Sequence, residues 1–302
     1  MRNPISAGQA YVLLVIVMML WASGVIVAGF VGDLTPPVGF SFWRWAVAVL
    51  VLAPLGWREA RANYDYLRSR MLYVLALGLF IAGGSTLLVW SAQYTTATNV
   101  SLISAGQPIV TTVMAWLILR ETLTSVQIAG SVAAAVGVIA MVIKMDIAVL
   151  LALSFNPGDL LILLAVVFYA FYAIFLHRWL SGITVLLMMF VSAIAGLLLL
   201  LPFWMIETAL VGPFVWQPEV IAAMVFMALV PTVLATTMWN KSVGTVGPSR
   251  ASIFINLLPL FGTGLAILLL GEQPHAYHLV GGILVCVGIT VVVRGGGAKQ
   301  NR

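Results

Sequence analysis

The 302-residue chain is 63% hydrophobic and only 8% charged, with a formal net charge of +5. Soluble domains carry about 25% charged residues, so the composition excludes one and indicates an integral membrane protein. The apolar runs are continuous rather than alternating, which excludes a β-barrel, and the one cysteine, Cys286, excludes an intrachain disulfide or a cysteine-cluster metal site.

Apolar windows and helix breakers predict ten spans, at 9–31, 36–57, 71–94, 98–119, 125–144, 158–177, 183–204, 218–240, 249–270 and 276–294. The first lacks a polar, small-residue cleavage region and so reads as a span rather than a cleaved signal peptide. Asp33-Leu34-Thr35-Pro36-Pro37 and Thr95-Thr96-Ala97 are tight turns, which force neighbouring helices to run antiparallel. The segment 145–157 has an apolar core too short to span; it reads as an interfacial helix or a loop on the outer face.

An even number of spans puts both termini on one side. Of the 14 lysines and arginines, 12 collect there, with Lys144 opposite and Arg44 inside the second span. Excess basic charge marks the cytoplasmic side, so both termini are expected in the cytoplasm. The +5 charge is thus largely accounted for by topology and does not indicate nucleic-acid binding.

A repeat runs through the chain. Pro108, Glu121, Gly130 and Gly137 recur as Pro259, Glu272, Gly281 and Gly288, each 151 residues on. Repetition on this scale is architecture. The expected fold is an all-α membrane protein of ten transmembrane helices in two five-helix repeats, 1–145 and 146–302. Five is odd, so the second copy enters from the opposite face and is inverted. Such halves can enclose a midplane site and expose it alternately to each side. Spans 3–5 match 8–10 well; spans 1–2 match 6–7 loosely, as in Trp21-Ala22 against Tyr169-Ala170.

Pro108 and Pro259 sit mid-span at matching positions and are candidate hinges or static kinks. Pro231 has no counterpart in span 3, where Gly83-Gly84 loosens the helix instead. Arg44 is the costliest intramembrane residue. It either snorkels or pairs with Asp33 or Asp159, or it docks a carboxylate. Among the polar residues of the spans, Asn99 shares one side of span 4 with Ser101 and Ser104, and Gln107 and Asn256 stand out, because an amide cannot satisfy all its groups within its own helix. Trp21, Trp90, Tyr94, Tyr169, Tyr172 and Trp239 are candidates for an aromatic substrate wall; the competing reading is an interfacial belt. Glu121 and Glu272 sit at span ends and suit pairing or capping at turns. No carboxylate lies clearly at mid-membrane, which leaves proton coupling open. Glycines and alanines in spans 5 and 10 suit close helix packing within the protomer, with a dimer seam as the alternative. No phosphate-binding loop, HExxH motif or serine elbow is present, so no enzyme is expected, and neither a cofactor nor a metal is implied.

The segments FWRWAVAVLVLAPL at Phe42–Leu55, LRETL at Leu119–Leu123, and PLFGTGLAILLLGEQP at Pro259–Pro274 resemble the drug/metabolite transporter superfamily, in its ten-span EamA-like branch. The resemblance covers nearly the whole chain and implies an inverted-repeat transporter of the bacterial inner membrane. The Arg44 position and the aromatic-rich first half are similar to the aromatic amino-acid exporter branch. The resemblance therefore implies export of aromatic and other neutral amino acids by a monomer, with a dimer as the alternative. A different metabolite or drug, or a channel-like facilitator, is the competing function.

Overall fold

A computed structural model describes residues 5–31, 34–91, 93–179, 183–270 and 273–295. Among these residues ten helices are long and apolar enough to cross a bilayer: α1 (Ala7–Val31), α2 (Pro37–Ala62), α3 (Met71–Ser91), α4 (Thr98–Leu119), α5 (Ser125–Val142), α6 (Pro157–Arg178), α7 (Val185–Leu210), α8 (Pro218–Val246), α9 (Pro248–Leu269) and α10 (Ala276–Gly295). All ten expected spans are present. The ends of α2, α7 and α8 run five or six residues beyond the expected apolar windows, to Ala62, Leu210 and Val246. Hydropathy ends where charge begins, whereas a helix continues into the interface because its backbone bonds are internal. The segment after α5 forms only a short helix, Ile147–Leu151.

Local chemistry sets the helix starts. Thr96, Thr124 and Thr184 each accept a backbone N–H from three residues on, and Gln127 completes a capping box with Thr124. Pro37, Pro218 and Pro248 occupy first-turn positions, where the missing N–H costs nothing.

The packing shows how the halves relate. Helix α1 packs on α8 and α9, and α6 packs on α3 and α4. Helices α2 and α7 pair across the halves, as do α5 and α10, and α4 and α9. Exchanging the halves converts this set of pairings into itself. At the α5–α10 crossing, a Cβ on Gly130 would lie 2.6 Å from the Gly288 carbonyl oxygen, and one on Gly137 would lie 2.7 Å from that of Gly281. Residue 130 meets 288 while 137 meets 281, so the two helices run antiparallel. Corresponding helices of opposite direction are what two inverted five-helix repeats require. The small-residue stripe therefore packs within the protomer.

Carboxylates fasten the ends of the paired helices. Glu207, near the end of α7, accepts the backbone N–H groups of Val38 (3.0 Å) and Gly39 in the first turn of α2. Glu59, near the end of α2, accepts the hydroxyl of Thr184 (2.7 Å), and that hydroxyl accepts the N–H of Leu187 in the first turn of α7. The α2–α7 seam is thus tied at both ends, directly on one face and through a hydroxyl on the other. Glu121 accepts the Ser249 hydroxyl at 2.9 Å, in the first turn of α9. Gly247, just before it, has φ of 86° and leaves no room for a Cβ beside that carboxylate. Glu121 is therefore the cap expected from sequence; Glu272 lies outside the described residues.

Four helices depart from α geometry. Helix α3 widens to a π segment at Leu79–Gly83 and α8 at Ala228–Ala235. These coincide when the halves are superposed at the 151-residue offset, although only α8 carries a proline there. Helix α4 breaks at Gly106, just before Pro108, and α9 passes through a 3-10 turn at Ile253–Asn256, just before Pro259.

Replacing Gly137 or Gly281 by leucine overfills the α5–α10 crossing, a class of change that costs about 1–3 kcal/mol or more. The expected result is a lower melting temperature and lower folded yield in detergent, measured by fluorescence-detected size exclusion on heating. Gly262→Ala, where a Cβ meets nothing within 4 Å, is the control and leaves both unchanged.

Candidate functional site

Where α3 and α8 widen, their backbone carbonyls need partners that lipid cannot supply. In α8, the Pro231 carbonyl accepts the Trp21 indole N–H from α1 (3.1 Å) and the Thr236 hydroxyl (3.2 Å). Gly24, one turn beyond Trp21, allows this approach, since a Cβ there would lie 2.7 Å from the Pro231 ring. In α3, the Ala82 carbonyl accepts the hydroxyls of Ser85 (3.0 Å) and Thr86 (2.8 Å). Ser85 in turn accepts the Arg44 guanidinium (2.9 Å) and the Trp45 indole (3.2 Å) from α2.

Arg44 is 5% exposed and therefore does not snorkel to the interface. Its Nε is buried without a hydrogen-bond partner, and among the described residues it meets no carboxylate. The expected pairing with Asp159 is not made. Asp159 instead accepts the Thr95 hydroxyl (2.6 Å), the Asn99 amide (3.1 and 3.2 Å) and the Asn156 backbone N–H (3.0 Å). Those donors lie at the start of α4 and just before α6, at the opposite end of the bundle from the termini. Asp33, the other candidate partner, lies outside the described residues.

Helix α6 joins two polar-aromatic groups. Tyr169 packs against Gly84 of α3 and lies within electrostatic range of Arg44. One turn on, the buried Tyr172 donates its hydroxyl to Asn240 of α8 at 3.0 Å. Trp239, beside Asn240, packs its ring 5.2 Å from that of Trp21. Trp21, Tyr169, Tyr172 and Trp239 are thereby gathered around α6 and α8 between the halves, with Arg44 on the α2–α3 side.

The remaining expected residues are dispersed. Trp90 and Tyr94 line a separate cleft opposite the termini, and Tyr94 is more than half exposed. Asn99 is occupied by Asp159. Gln107 is half-buried beside the break in α4. Asn256, in the 3-10 turn of α9, is buried with neither amide atom partnered among the described residues. His177 is tied to the Val243 carbonyl at 3.1 Å. Sequence reasoning did not link Trp45 with Ser85, or Tyr172 with Asn240, because these pairs join residues 40 and 68 positions apart. The loosening expected at Gly83-Gly84, opposite Pro231 in the repeat, takes the form of the π segment of α3. Among the described residues no group of three or more His, Cys, Asp or Glu could hold a metal.

Inverted repeats with broken helices and polar-aromatic groups at their interface define a multi-pass membrane transporter of small molecules. The EamA-like transporter family matches the chain twice, over residues 8–143 and 156–294, and the chain belongs to that family. The same profile matching each half is the repeat seen in the packing. Among relatives, the uncharacterized transporter YyaM of Bacillus subtilis is 26% identical, over 84% of this chain and 83% of its own. A probable terminal-alkyne amino-acid exporter of Streptantibioticus cattleyicolor is 27% identical, over 93% of this chain and 92% of its own. A solved crystal structure shares the fold with a TM-score of 0.77 at 16% identity, covering 98% of this chain and 99% of that one.

Asn99→Ala removes one of the three donors that hold the buried Asp159 carboxylate, the amide that bonds both of its oxygens. Leaving a buried charge short of its partners costs about 1–3 kcal/mol or more. The expected outcome is a lower melting temperature with an unchanged Michaelis constant for transport by the protein that remains folded.

Proposed function

We propose that the protein exports small amphipathic metabolites, foremost aromatic and other neutral amino acids, across the bacterial inner membrane by alternating access between halves 1–145 and 146–302. The observation that carries this reading is Arg44: a buried guanidinium without a carboxylate partner among the described residues, over the Trp45 ring and within electrostatic range of Tyr169. A guanidinium binds a carboxylate through paired charge-assisted hydrogen bonds, and aromatic rings pack favourably edge-on or offset against another ring. Gln107 and Asn256 flank the breaks of α4 and α9 and offer amide oxygens to an ammonium. The prolines at those breaks, Pro108 and Pro259, serve as hinges. Substrate enters from the cytoplasm, is held among α1, α3, α4, α6, α8 and α9, and leaves when the outer side opens. The relative described as a probable amino-acid exporter supports the same solute class.

A second reading, a carrier that runs downhill without proton coupling, is favoured by the carboxylates. Asp159 is fully engaged at one end of the bundle, while Glu59, Glu121 and Glu207 fasten helix ends.

The deciding measurement is flux in proteoliposomes with labelled phenylalanine, leucine, glutamate, glucose and a cationic drug, with and without a pH gradient. Saturable phenylalanine flux is expected, and its insensitivity to the gradient would select the uncoupled carrier. Losing one hydrogen bond to a charged group costs about 1.5–3 kcal/mol, so Arg44→Gln is expected to cut phenylalanine flux by roughly tenfold or more, with the melting temperature measured alongside to separate loss of the Ser85 contact from loss of solute binding. Flux of another solute without phenylalanine flux would sink the amino-acid assignment, and flux that does not saturate would replace the carrier by a channel. The basic residues collected on the terminal side favour a cytoplasmic position for both termini. In a Cys286→Ala background, cysteines at Ser69 and Arg302 are expected to resist a membrane-impermeant thiol reagent in whole cells.

A further inference from the structure

A cleft of about 780 Å³ opens on the face opposite the termini, between the start of α2 and the ends of α3 and α7. It is lined by Trp90, Tyr94 and Phe203, by Pro36 and Pro37, and by Glu207. It lies apart from the Arg44 and Trp21 groups, none of whose residues lines it. Its volume falls within the roughly 300–1,000 Å³ of small-molecule sites.

The electrostatics select its ligand. Among the described residues Glu207 is the one charged residue lining the cleft, and none of them there is Lys, Arg or His. Its two oxygens accept the N–H groups of Val38 and Gly39, which fix the carboxylate at the positive end of α2. Each oxygen retains acceptor capacity beyond that single bond. The carboxylate is therefore held rigid without a cation within ion-pair reach among the described residues, at the edge of an apolar and aromatic wall. Tryptophan and tyrosine faces attract organic cations as well.

We infer that this cleft is a binding site for an organic ammonium group carried on an apolar or aromatic body, with Glu207 as its counter-ion and Trp90 and Tyr94 as its walls. The ammonium has two sources, a free amine or amino acid at the outer face and the headgroup of an aminophospholipid. The inference goes beyond the transport reading and does not need it, because occupancy is measured without flux.

The test is calorimetric titration of the full-length protein in nanodiscs of phosphatidylglycerol, which carries no amine. The probes are phenylethylamine and 3-phenylpropionate. Phenylethylamine is expected to bind, with affinity falling at least tenfold in Glu207→Gln and in Tyr94→Ala. Phenylpropionate binding, where present, is expected to be insensitive to both. Val211→Lys, at a strongly exposed lining position, brings an ammonium of its own to the cleft without touching the helix cap. It is expected to abolish phenylethylamine binding even where Glu207→Gln fails to fold. Repeating the titration in nanodiscs containing phosphatidylethanolamine separates the sources: suppressed binding identifies the lipid headgroup, and unchanged binding identifies a free amine. Wild-type protein that does not bind phenylethylamine in phosphatidylglycerol overturns the inference, as does binding that survives both Tyr94→Ala and Val211→Lys.

Discussion

A backbone group inside a bilayer has no water to turn to, and each one left unpaired costs several kcal/mol. An unbroken helix meets that demand alone. This protein has four spans that are not unbroken, α3, α4, α8 and α9, and the arrangement of its polar side chains follows from that. The widened turn of α8 is completed by an indole from α1. That of α3 is completed by its own hydroxyls, one of which is held by a guanidinium and an indole from α2. The polar groups cluster where the backbone departs from α geometry, and those departures coincide between the repeats. The concentration of tryptophan and arginine that marks a candidate solute site thus arises from the same demand that permits the helices to bend. In the proposed carrier, binding and bending would share residues, so a solute that engaged Arg44 would also act on the span whose Ser85 Arg44 holds.

Much of this was legible in the chain. Ten spans, their alternation and their inverted halves follow from apolar run length, the count of basic residues and the 151-residue offset, because each depends on composition summed over many residues. Pro108, Pro259 and Glu121 were readable one by one, since proline and a carboxylate at a helix end have few roles. The partners of Arg44 and Asp159 were not. Arg44 inside the second span and Asp159 at the start of the sixth carry opposite charges, which made a mutual ion pair reasonable. Asp159 instead sits where three short-range donors converge, at Thr95, Asn99 and Asn156, and hydrogen-bond donors close at hand leave a carboxylate little need of a cation. The aromatics divided for a similar reason. Nothing in periodicity distinguishes a ring that faces a neighbouring repeat, as in Trp21 and Trp239, from one that faces an outer cleft, as in Trp90 and Tyr94.

The α2–α7 seam shows how inverted repeats drift apart without losing their architecture. Glu207 bonds the first turn of α2 directly, and Gly39 is the residue that admits it. At the other membrane face the corresponding first turn of α7 begins with Thr184, whose hydroxyl stands between Glu59 and the backbone. The same electrical complementarity, a carboxylate against the positive end of a helix, is met by two different side-chain solutions. The direct one leaves its carboxylate, Glu207, on the wall of a cleft.

The crossing of α5 and α10 carries an evolutionary consequence. Gly130 faces Gly288 and Gly137 faces Gly281, so each glycine opposes the repeat-mate of the other pair's partner. A surface that complements an upside-down copy of itself does not require the two copies to be joined. A half-length ancestor inserted in both directions would have formed this crossing as a homodimer, with a single glycine change felt twice. In the single chain each contact is made once by distinct residues, so a change at Gly130 is met at Gly288, while its repeat-mate Gly281 keeps its own contact with Gly137.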